Sequence, residues 1–308
     1  MGMHILCCLW SVFALVKMSS GAEWCYQSQV SCVNPCQGPL EWPEVAMTCG
    51  GRAQSPINIV TKKTLKDDRL QPLRYNGYQF AFHSDIINNG HSVQVNLPDS
   101  AKIDGGNLES TYKAIQLHFH WGLNGGPGSE HTIDGEQYPM EMHIVHIKQQ
   151  YHSLSEALKD KSGVAVLGFF YQESGSSNKK YESVVNALKR ITRPGTNTTL
   201  HDLSLDMLIP SHSNLSTYFR YQGSLTTPNC DESVVWTVFE NTIPLSNEQL
   251  SAFSQLSFAD GQNMTGTYRP VQPLNGREVY HSGSVAVWVN TVVLLSSVLA
   301  TVGLSFPE

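Results

Sequence analysis

Two short segments, Ile115-Gln-Leu-His-Phe-His120 and Glu141-Met-His-Ile-Val-His-Ile147, constrain this chain more than any other part of it. In an extended strand, successive side chains point to opposite faces. Alternation therefore places Ile115, Leu117 and Phe119 on one face of the first segment and Gln116, His118 and His120 on the other. The same rule groups Glu141, His143, Val145 and Ile147 in the second. Residues 122–136 between them are rich in glycine and long enough to return the chain antiparallel. Two neighbouring strands would then present three histidines and a carboxylate to one patch, with the sheet's core on the opposite face.

Most other apolar runs are short, β-branched or aromatic. They are bounded by turn signals such as Asn89-Gly90, Asp104-Gly105-Gly106 and Asp134-Gly135. Three segments read as helices. Ser153 with Glu156 has the capping-box spacing ahead of a short one. Tyr181, Val184, Val185, Leu188 and Ile191 recur at helical spacing, and Pro194-Gly195 stops that run. Ser246 with Gln249 caps a third, whose apolar face is Leu250, Phe253 and Leu256. No linker, charge block or repeat interrupts residues 23–281, so one domain of about 260 residues is expected, mostly strands. An apolar fraction of 41% with 15% charged residues excludes a disordered tail, a coiled coil or a collagen-like repeat. The net charge of −6, with no Lys/Arg run longer than two, argues against a nucleic-acid partner. Twelve histidines against twenty Lys and Arg point instead to metal or proton chemistry.

Both ends read as address labels. Ile5 to Val16 is an apolar run of about 12 residues, the length of a secretory leader core and too short to span a bilayer. Small residues follow it, and cleavage is expected before Ala22 or Glu23. Val285 to Phe306 is a second apolar run, with no Lys or Arg after it. Ser282-Gly283-Ser284 just before it supplies the small residues of a GPI attachment site, with Ser282 expected and Ser284 the alternative. The expected division is a signal peptide at 1–21, a folded domain at 22–282 and an attachment signal at 283–308 that is removed. The domain would then stand on the outer leaflet, at the extracellular face of the plasma membrane. With Cys7 and Cys8 in the leader, Cys25, Cys32, Cys36, Cys49 and Cys230 remain, so at most two disulfides form and one thiol is left over. Sequons at Asn197, Asn214 and Asn263 suit a secreted surface.

A His-x-His pair in a chain with twelve histidines arises by chance about half the time. His118-x-His120 with His143 on a paired strand says more. Zinc in hydrolytic or hydrating sites takes three protein ligands and leaves a fourth place for water. Two imidazoles at i and i+2 with a third across the ladder supply that geometry, and a carboxylate such as Glu141 can hold the third ring's tautomer. The competing reading is three half-buried polar histidines without a metal. No His-Glu-x-x-His is present, which excludes the usual zinc-protease helix, and Trp121-Gly-Leu-Asn124 follows where a cupin-like site would want a glutamate.

The runs Gln54-Ser-Pro-Ile-Asn58, Asn88-Asn-Gly-His-Ser92, Gln116-Leu-His-Phe-His-Trp-Gly122, Gly128-Ser-Glu-His-Thr132, Glu141-Met-His-Ile-Val-His146 and Ser224-Leu-Thr-Thr-Pro228 resemble the α-class carbonic anhydrases. They spread in the family's order from Trp24 to about Arg277. The leader, tail and cysteines resemble its membrane-anchored branch. The resemblance implies an α+β fold dominated by a large twisted, mostly antiparallel central β-sheet with a few short peripheral helices. It implies Zn2+ on His118, His120 and His143, and reversible hydration of carbon dioxide to bicarbonate and a proton. Thr226 matches the threonine whose hydroxyl accepts a hydrogen bond from the zinc-held hydroxide and donates to the carboxylate matching Glu130. Thr227 matches the residue touching bicarbonate, and Gln116 and Glu141 match partners of His118 and His143. His91 matches the proton shuttle, with Tyr26, Asn89 and Tyr221 ordering waters nearby and Gln94 standing where many relatives have Asn. Val145, Val166, Leu225 and Val234 match the apolar wall that receives carbon dioxide. His131 and His146 read as hydrogen-bonded core histidines. Disulfides Cys25–Cys36 and Cys49–Cys230 are implied, with Cys32 departing from the pattern, and sulfonamide-type inhibitors are expected. A rival reading is a catalytically silent member used for adhesion or ligand binding, but such relatives usually lose a zinc histidine and none is lost here.

Overall fold

The computed structural model describes residues 24–31 and 36–283; the leader, the apolar tail, Cys32 and Ser284 lie outside the described residues. The first strands are β1 (Asn58–Ile59), β2 (Leu65–Asp67), β3 (Leu73–Asn76), β4 (Phe82–Asn88), β5 (Val93–Asn96) and β6 (Lys102–Gly105). The two histidine segments form β7 (Tyr112–Trp121) and β10 (Met140–Lys148), on either side of the small hairpin β8 (Thr132–Ile133) and β9 (Glu136–Gln137). Then come β11 (Val164–Ser174), β12 (Asn197–Leu203), β13 (Tyr218–Gly223), β14 (Val234–Ser246) and β15 (Tyr280–Ser282). Twelve of the described strands join in one sheet, ordered β12-β4-β5-β7-β10-β11-β14-β13-β15-β2, with β6 joining β7 and β3 joining β6. Its pairings are antiparallel except β11 with β14 and β15 with β2. Asp134 and Gly135, at φ +49° and +86°, make the two-residue turn between β8 and β9. Positive φ at both central residues matches the twist of a tight hairpin.

Every residue of β10 is buried, so both faces of the sheet's centre are covered. One face carries the larger core, including Leu117, Phe119, Met142, Ile144, Leu167 and Phe239. The other holds a smaller cluster that includes Val145, Ile147, Val166, Phe170, Val234 and Trp236. Glu141 and the histidines of β10 are thus polar intrusions in a buried strand, and each must find a partner.

Strict alternation fails at one place in β7. Val145 faces Gln116 but His146 faces Ala114, so Ile115 is an extra residue in a β-bulge. The bulge flips the parity of the strand. Tyr112 and Ala114 join Leu117 and Phe119 in the larger core, and Ile115, expected beside them, packs on the smaller cluster instead.

Five α-helices are described: α1 (Trp42–Val45), α2 (Leu154–Ala157), α3 (Glu182–Leu188), α4 (Leu205–Leu208) and α5 (Asn247–Phe253). At α5 the Ser246–Gln249 capping box closes in both directions. At α2 only half of the pattern forms: Ser153 Oγ accepts from Glu156 N–H, whereas the Glu156 carboxylate takes the His152 N–H. In α3 and its flanks Tyr181, Val184, Leu188 and Ile191 are buried, as their spacing predicts. No described helix is long and apolar enough to cross a membrane. Both expected disulfides are formed, Cys25–Cys36 and Cys49–Cys230.

Candidate active site

Antiparallel pairing sets His143 opposite His118 and Glu141 opposite His120. The i, i+2 spacing on β7 and the register to β10 therefore place three imidazoles on one face. His143 Nδ1 lies 3.1 Å from His120 Nε2 and 3.3 Å from His118 Nε2. The other nitrogen of each ring is engaged outward. His118 Nδ1 is 2.9 Å from Gln116 Oε1, His120 Nδ1 is 2.6 Å from the Thr267 carbonyl, and His143 Nε2 is 2.8 Å from Glu141 Oε1. A carbonyl and a carboxylate can only accept, so those ring nitrogens donate, and the lone pairs of the inward nitrogens face one another. Burial holds all three imidazoles below their ordinary pKa, His120 at about 3, which keeps them neutral. Three neutral nitrogen donors aimed at one point repel until a cation lies between them, so the donor set fits a zinc ion.

Glu141 is the hub of this arrangement. Its Oε2 accepts the N–H groups of Glu130 and His131, and its Oε1 accepts from His131 Nδ1 and His143 Nε2. Burial alone would raise this carboxyl, but His131 and His143 outweigh it and hold Glu141 well below the usual carboxylate range. Beside the histidines, Thr226 acts on the Glu130 carboxyl to lower its pKa, and Glu130 Oε1 accepts the Arg269 N–H.

A family model described as eukaryotic-type carbonic anhydrase matches residues 37–283. The chain belongs to the eukaryotic-type carbonic anhydrase family. It is 40% identical over 284 residues to carbonic anhydrase 4 of Rattus norvegicus, and 42% identical over 285 residues to carbonic anhydrase 4 of Oryctolagus cuniculus. Each of those alignments covers 91% of both chains. To carbonic anhydrase 15 of Mus musculus it is 37% identical over 302 residues, 94% of this chain and 92% of that one.

The remaining expected residues of this carbonic anhydrase fall into two groups. Val145 and Val166 are paired across β10 and β11, and with Val234 and Leu225 they line the histidine face beyond His143. His91 sits in the β4–β5 turn, where Asn89 Oδ1 accepts the N–H groups of His91 and Ser92. Tyr26 is buried, which pushes its hydroxyl pKa far up, and the Glu130 charge adds to that. Gln94 lies opposite His118 on β5, and its amide donates to Asn96.

Tyr221 departs from expectation. Alternation on β13 turns it inward, and its hydroxyl is shared between His131 Nε2 and Ser55 Oγ, at 2.7 and 2.8 Å. It braces His131 behind His143. His131 and His146 are buried and hydrogen-bonded, His146 to Tyr78 and Ala165. Ser282 is 1% exposed at the end of β15, where its hydroxyl accepts the Tyr218 N–H and donates to the Ser216 carbonyl.

Several site residues escaped the sequence reading. The Trp236 ring packs edge-on to His143 at 4.7 Å and to His131 at 4.8 Å, and its Nε1 donates to the Ser224 carbonyl. It ties the β14 strand to the loop that carries Thr226. Trp24 stacks on His91 at 4.0 Å and 15°. Buried Arg269 donates to Gln54, Ser55 and Cys49 while its own N–H reaches Glu130. Alternation along β14 could have placed Trp236 on the face of Val234 and Val238; nothing local marks Trp24, Thr267 or Arg269, whose contacts are made across the fold.

Proposed function

We propose that this carbonic anhydrase binds zinc through His118 Nε2, His120 Nε2 and His143 Nδ1, and that it hydrates carbon dioxide at the extracellular face of the plasma membrane. The observation that carries the metal reading is the convergence of three neutral lone pairs whose rings are each locked from behind. When bound, the ion supplies Lewis acidity that lowers the pKa of a water to about 7, a value for which carbonic anhydrase is itself the reference case.

The chain's own residues do the rest. With its proton committed to Glu130, the Thr226 oxygen can only accept from a water or hydroxide placed at the three nitrogens. Thr226 would thereby set the O–H direction of a water held there, beside the apolar wall of Val145, Val166, Leu225 and Val234. The wall suits carbon dioxide, which has no net dipole, and disfavours the bicarbonate that forms. Thr227, next in the loop, is the residue that would meet that product. Cys230 N–H bonds the Thr227 carbonyl, and the Cys49–Cys230 bridge holds this loop against the N-terminal segment. Burial raises the Glu130 carboxyl well above its usual range, and the Arg269 and Thr226 hydrogen bonds oppose that. A cation at the nitrogens acts in the same direction as those bonds. Imidazole is the side chain best suited to carrying a proton away near physiological pH, and His91 is the residue that would do so. Metal analysis with a CO2 hydration assay and a sulfonamide control tests the reading. Loss of both metal and activity is expected in His118→Ala, His120→Ala and His143→Ala, and full activity in any one of them sinks the assignment.

The secretory leader, the two disulfides and the small residues ahead of the apolar tail support a GPI anchor. Ser282 is buried and its strand is paired on both sides, with β13 and β2, so attachment at Ser284 is favoured over Ser282. Release from intact cells by phosphatidylinositol-specific phospholipase C, with C-terminal peptide mapping, tests this. Recovery of the 285–308 segment from membrane-bound enzyme would refute it.

A further inference from the structure

A cavity of about 440 Å3 lies away from the histidines, at the carboxyl ends of the parallel pair β11 and β14. Its buried floor is apolar, from Leu208, Ile209 and Ile243, and its exposed rim is polar, from Ser176, Ser211 and Lys179. Its volume falls within the roughly 300–1,000 Å3 of small-ligand pockets. Neither Lys179 nor Lys180, which also lines it, forms an ion pair among the described residues.

Asn214, the asparagine of the Asn-Leu-Ser sequon, is on this rim and exposed. Asn197 and Asn263 are also exposed, but neither lines this cavity. The Asn214 backbone is clamped: its N–H donates to Ser211 at 2.8 Å, and its carbonyl accepts from Asn241 Nδ2 at 2.6 Å. Its side-chain amide makes no hydrogen bond among the described residues. A sugar joined to that amide therefore starts from a fixed root beside a preformed hollow. An N-acetylglucosamine has an apolar ring face and acetyl methyl to lay on the floor, and hydroxyl and amide groups to meet the rim. Tethering makes the docking intramolecular, so weak contacts are enough to hold it.

We propose that Asn214 is N-glycosylated and that the first sugar of its glycan seats in this cavity. The proposal rests on the secretory reading of the leader. The test uses full-length protein from a eukaryotic secretory host, with peptide-N-glycosidase release followed under native conditions by mass spectrometry at each sequon. Ser176→Trp fills the rim from an exposed position and leaves the sequon intact; CO2 hydration by the variant confirms that it has folded. Release at Asn214 is expected to be slow in the native protein and to speed up about tenfold in the variant, the factor that corresponds to 1.4 kcal/mol of docking. Release at Asn197 should be the same in both. An occupied Asn214 whose release is unchanged by Ser176→Trp overturns the docking alone. An Asn214 that carries no glycan overturns the whole proposal. The secretory reading fails separately, if the leader is retained.

Discussion

Glu141→Gln is the most revealing single change. The carboxylate is fully buried and accepts four N–H groups, from Glu130, His131 (backbone and Nδ1) and His143 Nε2, at 2.7–2.9 Å. An amide of the same shape keeps one accepting oxygen and offers an NH2 in place of the other. If the oxygen stays with the two backbone N–H groups, which cannot move, the NH2 confronts two imidazole N–H groups. Two charge-assisted bonds at about 1.5–3 kcal/mol each bound the loss of stability near 6 kcal/mol. His143 can relieve its share by moving the proton to Nδ1, the nitrogen that the metal requires. The penalty then passes to metal binding, and an affinity loss of about 10- to 100-fold is expected. The assay is zinc affinity by competition with a chelator, alongside thermal unfolding of the metal-free protein. The pH dependence has a fixed sign. Glu141's folded pKa is depressed, so its contribution is present above its unfolded value of about 4.3 and is lost as the pH falls through the folded value. The glutamine variant lacks that contribution throughout. A variant that binds zinc within about twofold of wild type, with normal stability, would refute the tautomer argument.

Three further outcomes are expected. His91→Ala slows only proton release, so small buffers such as imidazole restore turnover; Trp24→Ala, which removes the stacked ring, changes the buffer dependence with little effect at saturating buffer. A low His91→Ala rate indifferent to buffer would end the shuttle assignment. His146 is held at about 4 by burial, so its contribution is complete above its unfolded value near 6.5 and declines as the pH falls from there towards 4. It is worth roughly 3 kcal/mol at most, and urea midpoints of metal-free protein should fall over that window in wild type and less in His146→Gln. Removing the Cys49–Cys230 bridge, which spans 181 residues, releases up to about 5 kcal/mol of unfolded-state entropy and loosens the Thr226 loop. Stability and CO2 hydration should fall together; a stable variant with full activity would separate them.

Local pattern alone determined the strand segments, the capped helix after Ser246 and the face shared by His118 and His120. These depend on neighbours two to four residues apart, and periodicity records them directly. The family resemblance supplied the partners Thr226 and Glu130 and the two disulfides. Only the tertiary structure decided where the alternation breaks. The bulge at Ile115 arises from pairing with β10, and no pattern within β7 announces an unpaired residue. The same holds for Tyr221, whose hydroxyl goes to Ser55 and His131, 166 and 90 residues away in the chain. Thr267 holds His120, and Arg269 reaches Glu130, across 147 and 139 residues. A buried polar group must be satisfied by whichever group the fold brings beside it, and that partner is chosen by packing in three dimensions rather than by distance along the chain.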